Sequence, residues 1–186
     1  MSWISPWRLS KIGMLGINCR NRDFIGRYNP RHLFPQVDDK LKTKLLAQRH
    51  KLATPSLRFV VRQQHSINRI EEQLKDLEGF VLKPAKGAGG RGILVIIGRH
   101  GDRFIKASGS EITIEDIRRH MTNTLAGLYS LGGTPDVVLV EDLIEFDQVF
   151  EGYSHEGVPD IRIVVFKGYP VRSEEHTSEL QSHTEI

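Results

Sequence analysis

Apolar positions along the chain recur with two periods, one helical and one strand-like, and each change of period marks an element. Pro35 to Ala47 reads as a helix with an aspartate cap near its start. Leu41, Leu45 and Leu52 at helical spacing predict a buried leucine stripe along it. Lys40 and Lys44, four apart, share another face. Thr54-Pro55 ends the helix, and Leu57 to Arg62 has strand character. Ser66 to Leu77 is the next helix, with Ile67, Ile70, Leu74 and Leu77 on one side, and Glu78-Gly79 stops it.

A β-type run then begins at Phe80, ends in Lys83-Pro84 and resumes as a second strand over Ile93 to Ile97. Gly101-Asp102 marks a tight turn before a short strand, Arg103 to Lys106. Thr113 and Asp116 open a helix in the manner of a capping box. Ile114, Ile117, Met121, Leu125 and Leu128 follow at helical spacing, and Gly132-Gly133 closes it. Val137 to Val140 is an unbroken apolar run, as a strand buried on both faces would be, yet Glu141-Asp142-Leu143-Ile144 follows at once. Acidic groups at the end of a buried strand need compensating partners. Pro159 to Val171 reads as strand and turn, with Asp160 and Arg162 projecting from one face. The elements describe an α+β chain of small antiparallel sheets with flanking helices.

Between the Lys83 and Ile93 strands lies Lys86-Gly87-Ala88-Gly89-Gly90-Arg91-Gly92, with four glycines in six residues from Gly87 to Gly92. Glycine permits positive φ and lets backbone N–H groups approach a ligand closely, an arrangement suited to phosphate. Lys83, Lys86 and Arg91 add positive charge around the same loop, so a polyphosphate is the natural guest; the alternative is an ordinary glycine-rich hairpin. Gly87, Gly89 and Gly92 satisfy G-x-G-x-x-G, with Glu111 at the distance of a ribose acid. That motif must open a helix, whereas Ile93 to Ile97 is a strand, so a dinucleotide fold is rejected. A Walker loop is excluded because no Lys-Ser or Lys-Thr pair follows the last glycine.

Composition narrows the setting. The chain has 186 residues, 39% of them hydrophobic, enough for one domain or two small lobes. No apolar run reaches the roughly 20 residues of a membrane span, and the N-terminus lacks the apolar core of a secretory signal. Cys19 is the single cysteine, which excludes an internal disulfide framework and suits a reducing, cytoplasmic setting; it reads as a small buried hydrophobe. His120 has no second histidine or cysteine three or four residues away, so no metal site is expected there. Residues 1–36, with Arg8, Arg20, Arg22, Arg27 and Arg31, show no sustained period and read as an irregular basic lead-in, its arginines either solvated or contacting an anion or partner.

Residues 172–183 resemble the in-frame translation of a common sequencing adapter. On that reading 172–186 is an artefactual, disordered tail and the authentic chain ends at Val171. The tail holds one base, Arg172, and four acids, Glu174, Glu175, Glu179 and Glu185, so the remainder is more basic than the formal net charge of +3. Such a balance suits anionic ligands, but no interleaved aromatic platform accompanies it and nucleic acid is not expected.

Taken in order, Asp39-Lys40, Val81-Leu82-Lys83-Pro84, the glycine loop, Val140-Glu141-Asp142-Leu143-Ile144 and Asp160-Ile161-Arg162 resemble the ATP-grasp superfamily. More narrowly the chain is similar to the alpha-L-glutamate ligase-related proteins, relatives of the ribosomal-protein glutamate ligase. Arg27-Tyr28-Asn29-Pro30-Arg31, Val37 to Lys44 and Gly157 to Arg162 carry that likeness, which spans residues 12–171. The resemblance implies an ATP-grasp domain over 37–171, partial because its C-terminal part is missing, with ATP clamped between two lobes. Lys83 would contact adenine and the α-phosphate. Lys40, with Lys44, would hold phosphates, and Lys86, Gly87, Gly89, Gly90, Arg91 and Gly92 would close over the β- and γ-phosphates. Glu141, Asp142, Leu143 and Ile144 would form the adenine-reading hinge, and Asp160 and the catalytic Arg162 would lie near the nucleotide and the transferred group.

The implied activity is an ATP-dependent carboxylate–amine ligase working through an acyl phosphate on a small-molecule or peptide substrate. Magnesium would bridge the phosphates, its ligands expected in the missing C-terminal part, which would leave this fragment inactive. Two alternatives remain open: an ATP-grasp phosphotransferase or carbohydrate-transfer accessory enzyme, and a non-catalytic basic binding module.

Overall fold

The computed structural model describes residues 4–144 and 157–179, with side chains over 4–144 and 162–173. Up to residue 36 the chain is a series of short helical turns: α1 (Pro6–Lys11), α2 (Ile17–Arg20), a π-helical turn (Asn21–Ile25), α3 (Gly26–Tyr28) and a 3₁₀ turn (Arg31–Leu33). None of them buries a residue. Without an apolar face they are invisible to periodicity, which is why this lead-in reads as irregular in sequence.

The expected helix from Pro35 onward divides into α4 (Pro35–Asp38) and α5 (Lys40–Arg49). Asp39 stands between them in extended conformation and caps α5 by accepting from the N–H groups of Leu41 and Lys42. The leucine stripe is not what α5 buries: Leu45 is 51% and Leu52 64% exposed, while Leu41 and Lys44 are buried. A 3₁₀ turn (Gln64–Arg69) runs into α6 (Ile70–Leu74), and α7 (Ile114–Leu125) starts at a complete capping box between Thr113 and Asp116.

Six strands form one antiparallel sheet in the order β1-β6-β2-β3-β4-β5. They are β1 (Leu57–Val61), β2 (Phe80–Pro84), β3 (Leu94–His100), β4 (Arg103–Lys106), β5 (Glu111–Ile112) and β6 (Val138–Asp142). β6 lies between β1 and β2, as its unbroken apolar run requires, and a register shift between Leu57 and Phe59 marks an irregularity in β1. One face of the sheet carries Phe80, Leu82, Ile96, Val138 and Val140, which pack with Ile67, Ile70, Leu74, Ile117 and Met121 from the helical segments. The opposite face is covered more sparingly, with Leu41 of α5 packed on Ala85 and Leu139.

β7 (Gly157–Phe166) and β8 (Tyr169–Glu179) form a separate two-stranded sheet. The residues joining them, Lys167 and Gly168, both have positive φ, 51° and 85°, as in the two-residue turns that match strand twist. That turn sets a register in which Arg172–Glu179, expected to be a disordered tail, instead continue β8 by main-chain pairing; residues 180–186 of that tail lie outside the described residues. The ring of Phe166 meets that of Tyr28 edge-on at 5.0 Å, so the hairpin touches the lead-in.

Candidate functional site

Lys83 and Glu141 reach the sparingly covered face by strand alternation. Val81 pairs with Glu141 and Lys83 with Leu139, which sets Lys83 and Glu141 diagonally on one side of the sheet. The Lys83 ammonium donates to Glu141 Oε2 at 2.9 Å. Lys44 approaches from α5, 2.9 Å from Oε1, and also donates to the Pro55 carbonyl at 2.5 Å. Glu141 and Lys44 are buried, whereas a quarter of the Lys83 side chain stays exposed. The acid at the end of a buried strand thus has two cations, one on each oxygen, which offsets the cost of taking its charge out of water.

One turn before Lys44, the backbone N–H of Lys40 donates to Ala85 O at 2.8 Å and its ammonium donates to the Gly87 carbonyl. Burial pushes the Lys40 amine below its ordinary range; the nearby Lys83 charge acts in the same sense, while Asp136 and Asp39 oppose it. Lys40, Lys83 and the entry to the glycine loop therefore meet at one place.

Both ends of the loop are tied to α7 and to the chain that joins it to β6. At the start, Lys86 N–H donates to Asp136 Oδ2 at 2.9 Å, Ser130 Oγ donates to the same oxygen at 2.9 Å, and Val137 N–H donates to Oδ1 at 2.8 Å. Leu131 N–H donates to Lys86 O at 3.2 Å, and Gly87 and Ser130 form a β-bridge. Asp136 is only 5% exposed. At the far end His120 Nε2 lies 3.0 Å from Gly92 O; a carbonyl only accepts, so this nitrogen carries the proton. The imidazole stacks on Tyr129, centroids 5.3 Å apart, and burial holds its pKa below the usual histidine value. Gly92 has φ 75°, and a Cβ there would fall 2.5 Å from the Tyr129 ring. Between these ties Gly89, Gly90 and Arg91 are exposed.

A family model described as sugar-transfer associated ATP-grasp matches residues 19–174, most of the chain. The chain belongs to the sugar-transfer associated ATP-grasp family. It is this family, not the glutamate ligase-related one, that the match supports. No curated protein and no solved structure matches. The matched span of this ATP-grasp chain takes in Lys40, Lys83, the glycine loop, Glu141 and β7. ATP-grasp domains bind ATP, and the fold described here is consistent with a fragment of one.

The remaining candidates are placed as follows in this ATP-grasp chain. Asp142, last in β6, pairs with Arg58, and Leu143 folds over Gly79, where a Cβ would lie 3.2 Å from Leu143 Cδ2. Asp160 and Arg162 sit on β7; Arg162 is exposed and the side chain of Asp160 lies outside the described residues. Arg31, Lys42 and Lys86 line one cleft of about 660 Å³, which brings the arginine-rich lead-in to the root of the loop. Asp136, Tyr129 and His120 are the participants that motif reasoning does not find. The one available signal was an acid immediately before a buried strand, at Asp136-Val137. Among the described residues no group of three or more histidines, cysteines or acids is placed to hold a metal ion. No helix among them is long and apolar enough to cross a membrane.

Proposed function

We propose that this chain is the nucleotide-holding part of an ATP-dependent enzyme, with the phosphates of ATP bound between Lys83, Lys40 and the glycine loop. The observation that carries the reading is the convergence of these three on one sheet face. Glu141 is neutralised by two lysines, and Lys83 alone of the three keeps an open side. An incoming phosphate would meet the Lys83 ammonium there, while Glu141 keeps that ammonium fixed in position. Lys44, spent on Glu141 and Pro55, serves the site as a support.

ATP would supply a phosphoryl group, and cationic side chains with loop N–H groups would stabilise the charge that develops on it. In the finer reading the acceptor is a carboxylate, activated for attack by an amine, with Arg162 of β7 facing the transferred group. The description of the matched family favours an acceptor connected with sugar transfer. Calorimetry with magnesium-ATP tests the common core of both readings. The wild-type chain is expected to bind, and Lys83→Ala to lose about tenfold or more in affinity, the scale of one charge-assisted contact. Equal affinity of the two proteins, both folded, would remove the nucleotide from this face.

A further inference from the structure

We infer that Asp136 and the His120–Tyr129 pair are positioning residues that make the site select nucleoside triphosphates over monophosphates, without themselves touching the ligand. The inference rests on the nucleotide reading above and goes beyond it in assigning the selectivity to the posts of the loop. Lys83 stands on a paired strand, so a nucleotide's first phosphate meets a group held by the sheet itself. Phosphates further along the ligand meet the glycine loop instead, and its placement depends on what holds its ends.

The two ties differ in kind. At Lys86 the tie is polar: one buried carboxylate accepts from Lys86 N–H, Ser130 Oγ and Val137 N–H, so all of its hydrogen bonds come from donors. An asparagine there presents its NH₂ to a donor whichever way it is turned. At Gly92 the tie is steric and aromatic. The Tyr129 ring occupies the space a side chain would need, and His120, stacked on that ring, donates to the Gly92 carbonyl. With both ends fixed, ordering on a ligand falls on the exposed residues between them, and the entropic cost of closing over phosphates is correspondingly reduced. Releasing either end restores that cost, but only for a ligand long enough to reach the loop.

The test compares AMP with magnesium-ATP, by calorimetry, on the full chain. The wild type is expected to prefer ATP. Asp136→Asn and, independently at the other end, Tyr129→Leu are expected to cut that preference about tenfold while AMP affinity stays put. Tyr129→Phe keeps the ring and is expected to keep the preference. A Tyr129→Leu protein that stays folded and keeps the wild-type ratio would overturn the inference, as would equal losses for AMP and ATP. A wild type that binds both nucleotides alike would overturn it while leaving the Lys83 site standing. A wild type that binds neither would overturn that site as well.

Discussion

The two faces of the six-stranded sheet are built from alternate residues of the same strands and reach stability in opposite ways. On one, Phe80, Leu82, Ile96, Val138 and Val140 form an apolar cluster with Ile70, Leu74, Ile117 and Met121. On the other, Lys83 and Glu141 lie under α5 with Lys44, and a carboxylate is buried between two ammonium groups. Apolar burial is non-directional and scales with area, so the first face tolerates exchanges that conserve volume. Charge compensation depends on every partner, because removing one leaves the others uncompensated. One period-two pattern thus specifies an apolar core on one side and a cluster of compensated charges on the other.

The sharpest break of this comparison is Glu141→Leu, which leaves the Lys44 ammonium buried against a leucine. Denaturant unfolding is expected to show a loss of about 3–5 kcal/mol. Adding Lys44→Met should recover most of it, since a buried ion pair is replaceable by apolar groups of similar size. Failure of that rescue would mean that the charges specify the packing of α5. On the apolar face Leu82→Ala is expected to cost about 2–5 kcal/mol, with no second substitution able to repair it by charge.

A smaller effect is expected at His120. Burial lowers its pKa from 6.5, so between 6.5 and the lowered value the unfolded chain binds a proton that the native chain does not. Stability therefore falls as pH drops from 6.5 through that window, the sign expected of a group whose folded pKa is depressed by burial. His120→Gln should flatten the slope there, read as the urea midpoint against pH. The smallest effect is Arg58→Ala, which removes a half-exposed partner of Asp142 and should cost less than about 1 kcal/mol.

The apolar face is the part of the fold most legible in the sequence, because burial there follows period alone. β4 matches the expected Arg103–Lys106, and β6 occupies the buried position that Val137 to Val140 predicts. Lys40, Lys83, the glycine loop and Glu141 were visible as a series of motifs, and the need for a partner at Glu141 was visible too. Which partner was not: Lys44 lies on a helix whose leucines suggest a different buried face, and hydrophobic spacing carries no term for a neutralised charge. Asp136 and Tyr129 escaped for a related reason. They act on the loop from residues 37 to 50 positions away, between Gly92–Tyr129 and Lys86–Asp136, and such long-range ties leave no local pattern.

The strand order also bears on how the molecule meets its own copies. An open sheet ends in unpaired N–H and C=O groups, which template edge-to-edge aggregation. Here one edge is β5, only two residues long, too short to seed an added strand. The other is β1, where the register shift between Leu57 and Phe59 breaks the regular ladder and Arg58 places a cation at the same point. Among the described residues, a sheet whose inner strands are among the most apolar segments of the chain thus presents one very short rim and one irregular one.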